Sequence, residues 1–378
     1  MTNDLPINQL QEAAQRGDWS QLIQSLQQLL LTEQVSELPQ NDVDALLTLA
    51  VVGLETADFQ MGWEIAKVFP VFGDRAIAPL VSLLQDEAAE LESRWFAARI
   101  LGDLNNPAAI QALVDQLQAS DDEDLREMAA GALANLGTAA IAALTDLLAE
   151  DTTRSSAVQA LAQIRHSETI APLLTVADDP QPAVRTLVVE ALSSFHDSRI
   201  PPMLVRALHD PAAPVRQAAI AGLSVRLDLS DQLNLVPLLS EYLWDLNLSV
   251  CQQSAIALGR LRNDAAIPPL VRAFQSPTTP EVLQLEILRS LGWIGTQAAL
   301  DTLQQFLASN GQPALSRSTY HETVATLGRW ADPNLKPVAA QVLTHELVSP
   351  SFAQQDAGIR QRSRWHWVNS SSLPPWNP

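Results

Sequence analysis

The sequence contains one cysteine, Cys251, among 378 residues. That excludes an internal disulfide framework and any paired-cysteine metal or redox motif. Glycine is scarce at 14 residues and aromatics make up 5%, a poor fit to a sandwich or barrel with its many turns. Basic residues are also short, 23 Lys and Arg against 43 Asp and Glu, for a net charge of -20. Phosphate binding rests on Lys and Arg, so nucleic acid is not the expected partner. The longest apolar stretch, near Ala45 to Leu54, falls well short of the ~20 residues of a membrane span. The first residues lack the basic start and apolar run of a signal peptide. These absences predict a cytoplasmic chain with no transmembrane segment.

What is present is a helical composition. Hydrophobic residues reach 47%, and Leu, Ala and Gln, all good helix formers, dominate. A Leu followed by a small residue recurs at Leu101-Gly102, Leu133-Ala134, Leu161-Ala162, Leu192-Ser193, Leu223-Ser224, Leu258-Gly259, Leu291-Gly292 and Leu327-Gly328. Successive leucines lie 32, 28, 31, 31, 35, 33 and 36 residues apart, with a weaker copy at Val68-Phe69. Four positions before each Leu sits a mostly small residue, as in Ala97, Ala129, Ala157 and Ala219. Three positions after it sits a large apolar one, as in Leu104, Leu136 and Trp330. Offsets of three and four share one helical stripe, and the small residue after Leu predicts close approach of a neighbouring helix.

A second helix follows with an Ile-x-x-Leu signature, beginning at Ile77, Ile110, Ile141, Ile170, Ile200, Leu235, Ile267 and Leu300. Prolines such as Pro201, Pro202, Pro268 and Pro269 fall in its opening turn, where the missing amide costs nothing. Between pairs, Asp179-Pro180 precedes Val184-Arg185, and Asp210-Pro211 precedes Val215-Arg216. Arg94, Arg126 and Arg154 occupy the matching place earlier. The spacing predicts an Arg–Asp ladder, each arginine reaching the acidic turn before it.

Helix pairs of about 31 residues with these turns resemble the HEAT-repeat family, most closely the short repeats named after the phycobilisome lyases. The pattern is clearest in 184–204 and 250–270. The resemblance implies an all-α, right-handed α-solenoid of about eight to nine HEAT-like helix pairs. Residues 61–346 form the array and 1–60 an N-terminal helical cap, with helices near Leu10–Leu31 and Val43–Leu54. Residues 347–378 are an irregular tail carrying Trp and Arg. The 35-residue spacing across Arg226–Trp244 predicts a local change of pitch.

No Ser-His-Asp order or Gly-rich phosphate loop is present. His321-Glu322 resembles the paired motif of the di-iron enzyme deoxyhypusine hydroxylase, but the matching positions hold Trp95, Glu127, Ser155, Thr186, Gln217, Gln252 and Leu285, so no metal site is expected. Cys251 stands where other copies place arginine and reads as structural. The resemblance therefore implies a non-catalytic scaffold that takes a protein partner along its groove, as part of a heteromer, without a cofactor. The alternative it implies is a bilin lyase or chromophore-handling subunit acting on phycobiliproteins, with a bilin bound. Second helices of such arrays line the concave side, which nominates Asp115, Asp146, Arg206 and Arg272 for partner contact. The tail adds Arg362, Arg364, Trp365 and Trp367, residue types common at interface hot spots. Residues 1–60 hold nine acidic groups against Arg16 alone, and 311–378 hold six basic against four acidic, so the partner is expected to be elongated and of opposite polarity.

Overall fold

The computed structural model describes residues 39–56, 58–120, 122–308 and 315–348, together with Glu12, Arg16, 18–21, Ile23 and Gln24. The tail candidates Arg362, Arg364, Trp365 and Trp367, and most of the predicted helix Leu10–Leu31, lie outside the described residues. Those residues fold into α-helices and 3-10 turns with no strand.

Among the described residues from Gln40 onward, twenty α-helices follow one another. In the first half they are α1 (Gln40–Thr56), α2 (Phe59–Ala66), α3 (Ile77–Gln85), α4 (Leu91–Leu101), α5 (Pro107–Ala119), α6 (Glu123–Asn135), α7 (Ile141–Leu147), α8 (Arg154–Ile164), α9 (Ile170–Thr175) and α10 (Pro182–Ser193). The second half adds α11 (Ile200–Ala207), α12 (Ala213–Ser224), α13 (Ser230–Leu233), α14 (Leu235–Ser240), α15 (Leu248–Arg260), α16 (Ile267–Gln275), α17 (Glu281–Ile294), α18 (Gln297–Leu307), α19 (Arg317–Gly328) and α20 (Lys336–Val348). The chain divides into two compact units, Met1–Ala191 and Leu192–Pro378.

Each unit is a run of alternating first and second helices. In the first unit, first helices stack on first helices (α4 on α6, α6 on α8), and second helices pack against the first helix that follows (α3 on α4, α5 on α6). The second unit repeats this with α12, α15, α17 and α19 as the stacked first helices. Most of these helices are shorter than the ~12–15 residues at which an isolated helix becomes marginal. Tertiary burial therefore holds them. The repeat leucines Leu101, Leu133, Leu161, Leu192, Leu223, Leu258 and Leu291 are fully buried, as are Ala97, Ala129, Ala157 and Ala219 four residues before. Each large apolar side chain so buried is worth about 1.5–3 kcal/mol.

Close approach of first helices is visible at two repeat glycines. A Cβ on Gly102 would lie 2.9 Å from the Cα and carbonyl oxygen of Ala132, and one on Gly259 would lie 2.9 Å from those of Ser290. The predicted small residue after Leu is a packing requirement at both positions.

Two details differ from the sequence reading. In α14 the buried partner of Leu235 is Leu239, not Leu238, because the helix starts from Asn234 in a left-handed conformation (φ 47°) after the added turn α13. A contact at i+4 replaces one at i+3, and both lie on the same stripe. The arginine ladder is the second difference. Its main acceptors are backbone carbonyls at the end of the preceding second helix or in the turn just after it. Arg94 Nε donates to the Leu84 carbonyl (2.9 Å), Arg154 Nε to Leu148 (2.8 Å), and Arg185 and Arg216 to Asp179 and Asp210 (2.7 Å each). Helix ends leave four carbonyls without intrahelical donors, and the guanidinium supplies them.

The carboxylate contacts include the turn ahead as well as the turn behind. Arg154 pairs with Asp151 at 2.7 Å and with Asp179 at 3.1 Å, and Arg216 pairs with Asp245 at 2.7 Å. Arg126 departs from the pattern and meets Glu123 within its own helix. Where arginine is missing, a lesser donor fills the place. Cys251 Sγ donates to the Asp245 carbonyl (3.1 Å), and Gln284 Nε2 to Phe274 (3.1 Å). Cys251 is buried, and burial pushes its thiol up from the ordinary range. In the last copy Tyr320 stands at this position; burial, with the charge of Glu346, holds its phenol at about 12.

Candidate interaction site

The described second-helix candidates all lie at the surface. Asp115, on α5, accepts a hydrogen bond from Gln111 (2.7 Å) and borders a polar recess with Gln85, Glu87, Arg94 and Asp122. Asp146 on α7, Arg206 on α11 and Arg272 on α16 are exposed. Each sits on the solvent side of its helix, as the period predicts.

A more distinctive surface lies on the first helices of the first unit. Phe59 and Trp63 are one turn apart on α2, and Trp95 and Arg99 are one turn apart on α4, so each pair shares a face. Stacking α2 beside α4 brings the two faces together. The Trp63 and Trp95 rings stack at 6.1 Å with 22° between planes, and Phe59 lies 6.1 Å from Trp95. Arg99 places its guanidinium 4.3 Å above the Trp63 ring and 5.8 Å from Trp95. Beneath them Phe96 is buried, edge-on to Trp95 at 5.1 Å. Gly62 makes room for it, since a Cβ there would lie 2.6 Å from the Phe96 ring. Phe59 is nevertheless 50% exposed and Leu91 45%.

Phe59, Trp95 and Arg99 form one wall of a groove of about 840 Å³, which continues across α6 past Met128 and Asn135 to Gln163 on α8, with Trp63 stacked on Trp95 outside the lining. Its rim is acidic, with Glu92, Asp103, Asp124 and Glu127. Asp103 accepts from Asn135 Nδ2 (2.6 Å). Apart from Arg99, already seated on the indoles, no basic residue lines the groove. A concave surface of an exposed Phe59 and a half-buried Trp95 inside a carboxylate rim matches a ligand that carries positive charge next to apolar surface.

The sequence reading passed over Phe59, Trp63, Trp95 and Arg99. The available signal was the spacing of Trp63 and Trp95, which lie 32 residues apart, one repeat length. The two hold different offsets from their repeat hydrophobic residues, so alignment on the leucines did not bring them together.

In the second unit Glu322 of the His321-Glu322 motif is engaged in ion pairs. The Glu322 carboxylate lies 3.0 Å from Arg289 and 2.7 Å from Arg329. Burial raises its pKa, but the hydrogen bonds and charges of those two arginines outweigh it, so Glu322 titrates below the usual carboxylate range.

Among solved structures the chain is similar to an engineered protein (19% identity over 89% of this chain and 98% of that one, TM-score 0.40). It is also similar to human deoxyhypusine hydroxylase (21% identity over 71% of this chain and 98% of that one, TM-score 0.29). A third is Kap95p from its complex with RanGDP (11% identity over 92% of this chain, TM-score 0.49), of which this chain spans 58%. No curated protein matches the sequence. The sequence profile of HEAT repeats matches residues 54–134, 77–154, 141–224 and 235–320, which together cover more than half of the chain. With the stacked helix pairs of both units, that match makes this chain a member of the HEAT-repeat family.

Proposed function

We propose that the protein is a non-catalytic scaffold, and that it binds a protein partner through the first-helix groove around Phe59, Trp95 and Arg99. The observation that carries this reading is the exposure of Phe59 and Leu91 beside stacked indoles in a groove rimmed by carboxylates. Exposed clusters of large apolar side chains rimmed by polar groups mark interaction sites, and Trp and Arg dominate interface hot spots. The partner segment it fits is basic, with an aromatic or aliphatic anchor.

The chromophore-handling alternative has the Phe59 and Trp95 rings of the groove wall in its favour, since a tetrapyrrole could lie against them. The rim opposes it, because bilin propionates would face Glu92, Asp103, Asp124 and Glu127 with Arg99 as the one cation.

The test is affinity capture from native lysate followed by measurement on the captured partner. Trp95→Ala and, separately, Arg99→Glu should each weaken partner binding by about 2 kcal/mol, roughly thirtyfold. Unfolding midpoints serve as the check that both variants fold. Binding that resists both variants but falls in Arg206→Glu with Arg272→Glu would move the site to the second helices. Saturable spectral change on adding free bilin, abolished by Trp95→Ala, would replace the scaffold reading with the chromophore one.

A further inference from the structure

Four positions after the repeat leucine, at the turn from first to second helix, the backbone is left-handed in four copies. The residues are Gly137, Arg165, Arg262 and Gly295, with φ of 64°, 48°, 50° and 73°. Glycine takes this conformation freely, whereas arginine is strained by its Cβ. Arg262 thus stands where the fold is served by glycine in two sister copies, and strain of this kind points to a role for the side chain.

Arg262 opens onto a groove of about 800 Å³ in the second unit, built from three successive turns. Arg262, Arg289, Arg329 and the 45%-exposed Trp293 line it, with backbone from Gly292–Thr296 and 331–334. Asp332 is the one carboxylate in the lining, and its Oδ1 accepts from the Asn334 amide. No ion pair or hydrogen bond to the Arg262 guanidinium is found among the described residues. Arg289 and Arg329 share Glu322, and Arg289 also meets Glu286 at 3.2 Å. Each guanidinium has five donors, so both keep donors for a ligand. In a chain with 43 acidic against 23 basic groups, three arginines facing one groove reverse the prevailing charge.

We propose that this groove is a second docking site, and that its occupant is an acidic segment of a partner protein. Asp or Glu carboxylates of that segment bond to Arg262 and Arg329, and an aromatic or aliphatic side chain rests on Trp293. Guanidinium matches carboxylate in bidentate geometry, and a half-exposed indole offers apolar contact with little ordering cost. Single-stranded nucleic acid shares the negative charge and could stack on Trp293. The net charge of -20 opposes a long polyanion more than a short acidic segment. The site shares no residue with the first-unit groove, and either can fail alone.

Fluorescence anisotropy on the full chain tests the proposal, with a fluorescein-labelled Glu-Glu-Phe-Glu-Glu-Phe peptide as probe. Its Lys-for-Glu counterpart and a ten-residue oligothymidylate serve as competitors. Saturable binding of the acidic peptide is expected, weakened by added salt and untouched by Trp95→Ala. Arg262→Gly removes the guanidinium and installs the residue found at Gly137 and Gly295, so the turn keeps its fold. It should weaken the probe about tenfold, as should Arg329→Gln, in the range of single interface side chains. Undiminished binding in Arg262→Gly overturns the proposal, as does tighter binding of oligothymidylate than of peptide.

Discussion

At the scale of single residues, glycine positions separate packing from helix propensity. A Cβ on Gly102 or Gly259 would meet the backbone of the neighbouring first helix at 2.9 Å, whereas nothing lies within 4 Å of a Cβ on Gly131. Gly102→Ala should therefore destabilise the protein by about 1–3 kcal/mol, since backbone has to move to admit a methyl group. Gly131→Ala, inside α6, should stabilise it by about 0.5–1 kcal/mol through propensity alone. Urea midpoints read both, and equal shifts of the same sign would refute the packing account. The residue after each repeat Leu was legible as small. Which glycine touches backbone and which faces open space depends on the neighbouring helix, and no local pattern encodes that.

Between elements, the side chain seven positions before the repeat leucine ties successive pairs together in most copies, Arg126 excepted. Arg216 is the fullest case, bonded to the Asp210 and Pro211 carbonyls behind it and bidentate to Asp245 ahead, at 2.8 and 2.7 Å. The pair is shielded, with side-chain exposures of 15% and 10%. Burial raises the Asp245 pKa, but hydrogen bonds from Arg216 and the Asn247 amide, with the charge of Arg216, outweigh it and leave the pKa lowered. A carboxyl depressed in the folded state contributes stability above its unfolded value of about 3.9, and that contribution is lost as pH falls through the folded value. Asp245→Asn should cost about 2 kcal/mol near neutral pH, less than the ~3–5 kcal/mol of a fully buried pair because Arg216 keeps its carbonyls. Below the folded pKa of Asp245 the variant and the parent should converge. A gap that stays constant from neutral pH to acid would show that the ion pair is not its source. The Val-Arg signature was readable from the sequence. Its carbonyl acceptors were not, because an Asp-Pro turn advertises a carboxylate and hides the backbone carbonyls of its own residues.

At the scale of the whole chain, a net charge of -20 sets 43 acidic groups against 23 basic ones. Self-repulsion of this size opposes compaction, and salt screens exposed charges more than shielded pairs such as Arg154–Asp179 and Arg216–Asp245. Raising NaCl from about 20 mM to about 300 mM, where the Debye length falls below ~10 Å, should raise the unfolding temperature. A lowered temperature would mean that surface ion pairs contribute more than the repulsion. No single described helix is long and apolar enough to cross a membrane. The described surface presents two grooves of opposite charge, one on each compact unit.

The repeat, the helical class and the alternation of first and second helices were determined by the sequence alone. They rest on offsets of three and four within one helix and on a period near 31 residues, both local quantities. Only the tertiary structure decided what those helices present. Trp63 meets Trp95 because α2 lies beside α4, with Gly62 admitting Phe96 between them. Arg262 faces Trp293 and Arg329 because three turns come into line. Both arrangements join residues about one or two repeats apart, and packing between helices, which the one-dimensional period does not specify, sets which of them touch.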